Sequence, residues 1–307
     1  MLKKGIVYCS TGSNYRIKSE GQFYDCRIKG KFRIKDIKST NPVAVGDKVS
    51  FTIEPKKKFK GVITAIETRQ NYIVRKSVNL SKQTHIIAAN IDQVFLMITL
   101  KTPQTFPAFI DRFLVTALAY DINMLLLFNK IDLYDKDELR VMRDLKSVYQ
   151  NIGYECHEVV ASDLKTLAVI QSKMEGKVSM FSGHSGAGKS TLVNSLSPGL
   201  DLKTASISKQ HQQGQHTTTF AEMFDLGASR IIDTPGIKGF GVVDIQPEEL
   251  SGYFIEFAAL KGSCKFNNCM HTSEPKCAIK EAIEVGKIAP SRYKSYLQLL
   301  EEDSLYR

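Results

Sequence analysis

The sequence predicts a multi-domain chain: an all-β barrel, then an α/β domain with a parallel sheet, then a helical module around a cysteine-rich loop. Three observations carry this prediction. Short β-rich stretches punctuated by turn residues fill the first seventy positions. Continuous apolar runs then alternate with helical spacing, as where strands are buried on both faces of a parallel sheet. Three of the six cysteines cluster near the C-terminus. The units are drawn at residues 1–72, 73–245 and 246–307, and a chain of 307 residues exceeds the usual size of a single domain.

In the first unit the β-rich stretches are GIVYCS, QFYDCRIKGKFRI, VAVGDKVSFTI and GVITAIETR. A five-stranded barrel of the oligonucleotide-binding kind has this size and presents basic loops and aromatics beside its strands. Tyr24 and Phe59 are candidates for that aromatic role, with plain core packing as the alternative. Residues 1–60 hold 15 Lys and Arg against 5 Asp and Glu, and the remainder is balanced at 27 of each. The whole excess of +10 therefore lies in one module. Clustered cations release condensed counterions on meeting phosphates, so the expected partner is a polyanion, nucleic acid first. A solvated charged face is the alternative.

In the second unit, IDQVFLMITL and INMLLLFNK are strands buried on both faces. Between them PAFIDRFLVTALAY sets Phe109, Phe113 and Ala117 on one helical stripe. DELRVMRDLKSVYQNIG is an amphipathic helix closed by Gly153, and ECHEVVAS, KVSMFSG and SRIIDTPG add further strands. The chain is helical again from 250 onward. No apolar run approaches the roughly 20 residues of a membrane helix, and the start lacks a signal peptide. The expectation is a cytoplasmic chain with no membrane partner.

GHSGAGKST, residues 183–191, fits the phosphate-loop pattern GxxxxGK[ST] between a strand and a helix start. Glycines let backbone N–H groups cradle phosphate oxygens at a helix N-terminus. Gly183, His184, Ser185, Gly186, Ala187, Gly188, Lys189, Ser190 and Thr191 are therefore candidate nucleotide contacts. Lys189 would reach the β- and γ-phosphates, and Ser190 would hold Mg²⁺. A glycine-rich turn without a ligand is the bland alternative.

Such loops serve ATP and GTP alike, so the base needs a separate argument. In NKID, residues 129–132, the Asp132 carboxylate offers two acceptors to the paired donors N1–H and 2-amino of guanine, which adenine lacks. Asn129 can meet the base's other polar edge and brace the phosphate loop, and the Lys130 stem can cover the ring. The motif ends an apolar strand, where ligands of open α/β sheets bind. Ser162 in VVASD is placed over the base edge. In DTPG, Asp233 supports Mg²⁺ through water and the Gly236 N–H meets the γ-phosphate. Thr218 in GQHTTT completes the magnesium shell, with Thr217 close behind.

A Ras-like domain presents phosphate loop, threonine switch, DxxG, NKxD and base-capping loop in that order. Here NKID comes first, then the capping segment, the phosphate loop, the threonines and DTPG. It is one cycle opened at a different point, a circular permutation, which a fold with neighbouring termini tolerates.

CKFNNCMHTSEPKC gathers Cys264, Cys269, His271 and Cys277. Three thiolates and an imidazole make a complete tetrahedral Zn²⁺ shell with no place for a catalytic water, hence one structural zinc. A disulfide is the rival reading, disfavoured by the compartment and by the thiol it would leave over. Cys9, Cys26 and Cys156 read as packing residues.

The motif order, with a basic barrel before it and a Cys/His module after it, resembles the ribosome small subunit-dependent GTPase A family of circularly permuted bacterial GTPases. The resemblance runs through AANIDQVFLMITL, IDRFLV, NKIDL, GHSGAGKSTLVN, GQHTTT, DTPGIKGFG and the Cys/His segment. It implies an OB-fold, GTP and GDP as ligands, hydrolysis of GTP, and the 30S subunit with its 16S rRNA as partner late in subunit maturation. It also places the four zinc ligands on the same residues. A monomer is expected.

Many GTPases orient the attacking water with a glutamine just after DxxG. Ile237 stands there, and an aliphatic chain can neither donate nor accept a hydrogen bond. His216 is the replacement candidate that the resemblance supports, with a neutral imidazole at ordinary pKa. The alternative is that His216 packs or contacts RNA. Two other function classes remain open: a non-enzymatic RNA-binding protein gated by nucleotide, and an ATP-dependent kinase, against which Asp132 argues.

Overall fold

The computed structural model describes residues 2–28, 41–54, 59–76, 84–197, 221–234 and 245–305. Strands β1 (Leu2–Ser10), β2 (Tyr15–Ser19), β3 (Gln22–Ile28), β4 (Lys48–Ile53) and β5 (Lys60–Ile66) form the first unit. They pair in the order β1-β2-β3-β5-β4, and β4 returns to β1 along Leu2 to Ile6, so the sheet closes on itself. Only the β3–β5 contact is parallel. Alternation sends Val7, Tyr15, Ile17, Tyr24, Cys26, Val49, Phe51 and Ile63 into one core. Tyr24 is thus a core residue, not a surface platform: the pleat that buries Cys26 buries it too. Phe59 remains 44% exposed, so of the two aromatics only this one is available to a partner.

A buried ion pair ties the barrel's exit to its wall. Asp47 accepts from Arg69 Nε at 2.6 Å and Nη2 at 2.7 Å, and from the Ala44 N–H at 2.8 Å. Both side chains are almost wholly buried. The hairpin β6 (Tyr72–Lys76) with β7 (Thr84–Ala89) follows, and Ile73 and Ala88 join the core of the second unit.

The second unit contains β8 (Gln93–Ile98), α1 (Pro107–Ala119), β9 (Asn123–Asn129), α2 (Lys136–Asn151), β10 (Glu155–Val159), α3 (Leu164–Met174), β11 (Val178–Gly183), α4 (Lys189–Leu196), β12 (Glu222–Leu226) and β13 (Ser229–Asp233). Its strand order is β10-β9-β8-β11-β13-β12, parallel except for β12. β8 and β9 are buried on both faces, as their unbroken apolar runs require. The phosphate-loop strand β11 lies at the centre, and register aligns Val159 with Asn129 and Phe181 with Asp233. All three candidate motifs therefore leave one edge of the sheet.

Barrel and sheet are joined where β1 meets β12 at Cys9 and Glu222. Across this seam the Tyr8 hydroxyl donates to Asp225 at 2.5 Å, and Lys18 pairs with the same carboxylate.

The third unit comprises α5 (Pro247–Leu250), α6 (Ile255–Ala258), α7 (Ala278–Glu284) and α8 (Pro290–Leu305). Leu250, Phe254, Phe257, Ile279, Tyr296 and Val115 of α1 share its core. No helix among the described residues is long and apolar enough to cross a membrane.

Removing one partner of a buried ion pair strands the other charge, which costs about 3–5 kcal/mol. Asp47→Ala should therefore lower the urea midpoint of the barrel and speed hydrogen exchange in β1 and β4. Exchange in β1 and β4 at the wild-type rate would contradict this.

Candidate active site and metal centre

The phosphate loop runs from the end of β11 to the start of α4. Gly183 (φ 143°) leaves no room for a Cβ, which would sit 2.7 Å from the Met97 carbonyl oxygen. Gly188 (φ 103°) is tighter, since a Cβ there would lie 2.4 Å from Asn129 Nδ2. Both positions also lie in the left-handed region that favours glycine. Ser185, Gly186 and Thr191 are exposed and Ala187 is buried beneath them. Lys189 Nζ donates to the carbonyls of Gly183 and His184, each at 2.8 Å. Burial pushes its pKa down to about 8, against an upward pull from Asp233. The Asp233 carboxyl is pushed up by burial, with Lys189 pulling the other way. This half-buried carboxylate beside Lys189, together with half-buried Ser190, is a donor set that suits a hard cation such as Mg²⁺.

Asn129 joins the loops. Fully buried at the end of β9, it donates from Nδ2 to the Ala187 carbonyl at 2.8 Å and accepts at Oδ1 from the Ala161 N–H at 3.0 Å. One amide thus spans the base motif, the phosphate loop and the capping segment. Of the two roles expected of Asn129, bracing is the one its hydrogen bonds express. Lys130 takes a left-handed conformation (φ 66°) and donates to the Thr102 carbonyl at 2.5 Å. Asp132 stands exposed in the turn that follows, and Ser162 is exposed on the capping segment, so both are open to a base. His216, Thr217, Thr218, Gly236 and Ile237 lie outside the described residues.

Two supports carried no sequence signal. Tyr134 donates to the Asn129 carbonyl at 2.9 Å and accepts from the Leu100 N–H at 2.8 Å, holding the base motif against the loop after β8. Phe109, which helical spacing assigns simply to a core stripe, stacks on the His184 ring with centroids 3.9 Å apart. Burial, then Lys189, lowers the His184 pKa, so a neutral ring lies in the stack.

In the C-terminal loop, the candidate ligand atoms of Cys264, Cys269, His271 and Cys277 all lie within 4.8 Å of one another. His271 Nδ1 is 3.3 Å from Cys277 Sγ and 3.6 Å from Cys264 Sγ, and the two sulfurs are 4.0 Å apart. A zinc tetrahedron with Zn–S near 2.3 Å and Zn–N near 2.0 Å spaces sulfurs about 3.8 Å apart and sulfur from nitrogen about 3.5 Å. The residues fit the ion. Burial lowers the His271 pKa, favouring the neutral ring that ligates. Burial also raises the Cys269 thiol to about 12, with hydrogen bonds to Cys277 and Cys264 adding to the rise; a bound dication favours the thiolate instead. Glu274 accepts from the N–H groups of Met270 and Thr272 at 2.7 and 2.8 Å and so shapes the loop. The remaining cysteines are free thiols: Cys26 and Cys156 are buried and Cys9 half-buried.

The RsgA GTPase family model matches residues 66–243, over half the chain, and the RsgA N-terminal domain model matches residues 4–63. The chain belongs to the RsgA GTPase family. Membership makes it a GTP hydrolase. A small ribosomal subunit biogenesis GTPase RsgA of Christiangramia forsetii is 63% identical over 99% of this chain and 98% of its own length. The protein of the same description from Bacteroides thetaiotaomicron, RsgA 2, is 50% identical, with 99% of each chain covered. Among solved structures, YjeQ from Thermotoga maritima superposes with a TM-score of 0.77 at 35% identity, covering 98% of each chain. YloQ, described as a circularly permuted GTPase, gives 0.74 at 29% identity over 100% of this chain and 96% of its own.

The lowered Lys189 pKa has a measurable consequence. With its pKa down at about 8, Lys189 of the nucleotide-free protein is partly deprotonated in that range, whereas a phosphate beside it favours the ammonium. GDP binding at pH 8 should therefore take up a fraction of a proton, and affinity should fall as pH rises further. Calorimetry in buffers of different ionisation enthalpy reads this directly; uptake near zero would contradict it.

Proposed function

We propose that this chain is a GTP-driven assembly factor that binds the 30S subunit through 16S rRNA late in its maturation and leaves after hydrolysis. One observation carries the nucleotide part: the Asn129 amide draws the base motif, the capping segment and the phosphate loop to one edge of the sheet. Gly183 to Thr191 would enclose the phosphates, Asp132 and Ser162 would read guanine beside Lys130, and Asp233 with Gly236 would sense the γ-phosphate. Ser190 and Thr218 would hold Mg²⁺, which when bound polarises the phosphate oxygens. Cys264, Cys269, His271 and Cys277 would hold one structural zinc. His216 would orient the attacking water.

The ribosomal part is supported by the relatives' description as small ribosomal subunit biogenesis GTPases and by the cationic excess of the first sixty residues. The units are taken as 1–72, 73–245 and 246–307; the core that holds Ile73 also takes in Tyr8 and Val45 of the barrel, and Ile245 packs with the C-terminal helices. A monomeric, cytoplasmic protein fits this reading.

Guanine specificity can be reversed by matching the altered edge. Asp132→Asn should weaken GDP binding at least about a hundredfold and restore binding to xanthosine diphosphate. Competition titrations decide it, and a variant that still prefers GDP removes Asp132 from the base edge.

In sucrose gradients the chain with a non-hydrolysable GTP analogue should migrate with 30S particles. His216→Ala should bind GTP as the native chain does but lose at least about a hundredfold of the 30S-stimulated turnover. Unchanged stimulated kcat would return His216 to a packing or RNA-contacting role.

A further inference from the structure

Helix α1 touches the phosphate loop on one side and α8 of the C-terminal unit on the other. Phe109, in its first turn, stacks on His184 of the phosphate loop with planes 27° apart. Asp111, two residues further and fully buried, accepts from Arg292 Nη1 of α8 at 2.6 Å and from the Tyr149 hydroxyl of α2 at 2.9 Å. Residues two apart on a helix point roughly 200° apart, so α1 stands as a wall between the phosphate loop and the C-terminal unit. Arg292 also donates to Glu256 through Nε at 2.7 Å and Nη2 at 3.1 Å, and its guanidinium lies 4.5 Å from the Phe254 ring centroid.

From α8 the contacts continue into the metal loop. Tyr293 donates to the His271 carbonyl at 2.7 Å and Tyr296 to the Met270 carbonyl at 2.8 Å. At the other end, the His184 carbonyl accepts from Lys189. An unbroken series of direct contacts therefore runs from the metal loop to the phosphate lysine.

We propose that Arg292, Asp111 and Phe109 are positioning residues for the GTPase site, and that through them zinc binding and guanine-nucleotide binding are thermodynamically coupled. The proposal rests on the nucleotide and zinc readings above. Loss of the ion frees the carbonyls of Met270 and His271 that anchor Tyr296 and Tyr293, and α8 loses its fixed place. Asp111 is a buried carboxylate and follows its guanidinium partner, so α1 shifts with α8 and carries Phe109 away from His184. Linkage makes the effect reciprocal: nucleotide tightens zinc by the factor by which zinc tightens nucleotide.

The test uses the full chain, zinc-loaded or stripped by a chelator, titrated with fluorescent GDP. Stripping should weaken GDP binding about tenfold, and saturating GDP should strengthen zinc binding by the same factor, read by competition with a chromophoric chelator. In Phe109→Leu both effects should shrink to less than about twofold. Arg292→Lys, which loses the forked pairing, is measured with zinc bound and guards against simple unfolding of the stripped module. It should weaken GDP binding while keeping its zinc affinity. Equal GDP affinity of the native chain in both metal states would overturn the coupling. So would an undiminished zinc effect in Phe109→Leu, or native GDP affinity in Arg292→Lys. Failure of the zinc-loaded native chain to bind GDP at all would sink the nucleotide-site reading, and this proposal with it.

Discussion

One buried amide draws the loops of the candidate nucleotide site together. Asn129 is buried at the end of a strand, so both ends of its side chain must find partners. The carbonyl of Ala187 and the N–H of Ala161 provide them. An aspartate in this place could not donate to the carbonyl, and an alanine would leave two buried backbone groups unpaired at a cost of about 1–3 kcal/mol each. The same amide explains Gly188, whose absent side chain leaves the space that Asn129 Nδ2 fills. Base motif and phosphate loop, nearly sixty residues apart in the chain, thus constrain each other's composition.

That constraint explains why the permuted order is harmless. The site is defined at the carboxyl edge of a parallel sheet, where β9, β10, β11 and β13 all deliver their loops. Which loop comes first along the chain does not change which strands are neighbours. The permutation puts a new junction between α3 and β11, crossed in three residues from Met174 to Val178, and it frees the two flanks of the domain for additions. The barrel attaches at one, through the β1–β12 seam, and the helical module at the other, against α1.

Much of this was legible in the sequence because it rests on periodicity and on motifs with steric reasons. The buried strands β8 and β9 appear as unbroken apolar runs, the phosphate loop as glycines at positions with no room for a side chain, and the candidate metal centre as four residues able to ligate within fourteen positions. Short strands such as β2 and β12, and the hairpin β6–β7, lack that signal, since five residues with mixed burial resemble loop. Tyr24 shows the limit of reading aromatics: only the pleat decides whether a tyrosine in a basic barrel faces a partner or the core. Phe109 and Arg292 were illegible for a different reason. Their roles come from partners 75 and 181 residues away (His184, and Asp111 as the partner of Arg292), and no local pattern encodes such distances.

The cluster around Arg292 has an energetic oddity that bears on why it is there. One guanidinium serves two carboxylates, Asp111 and Glu256, in surroundings where a well-packed apolar cluster of similar volume is often at least as stable. Desolvation raises the Asp111 pKa, and Arg292 provides the largest opposing pull. Such an arrangement is a poor way to add stability and a good way to fix register, because hydrophobic surfaces slide where a forked, charged pair does not. Helices α1 and α8 are held at one relative position by Arg292, and the tyrosines that follow it on α8 are therefore held over the metal loop. The apolar core of the third unit supplies the adhesion, and the buried ions supply the alignment.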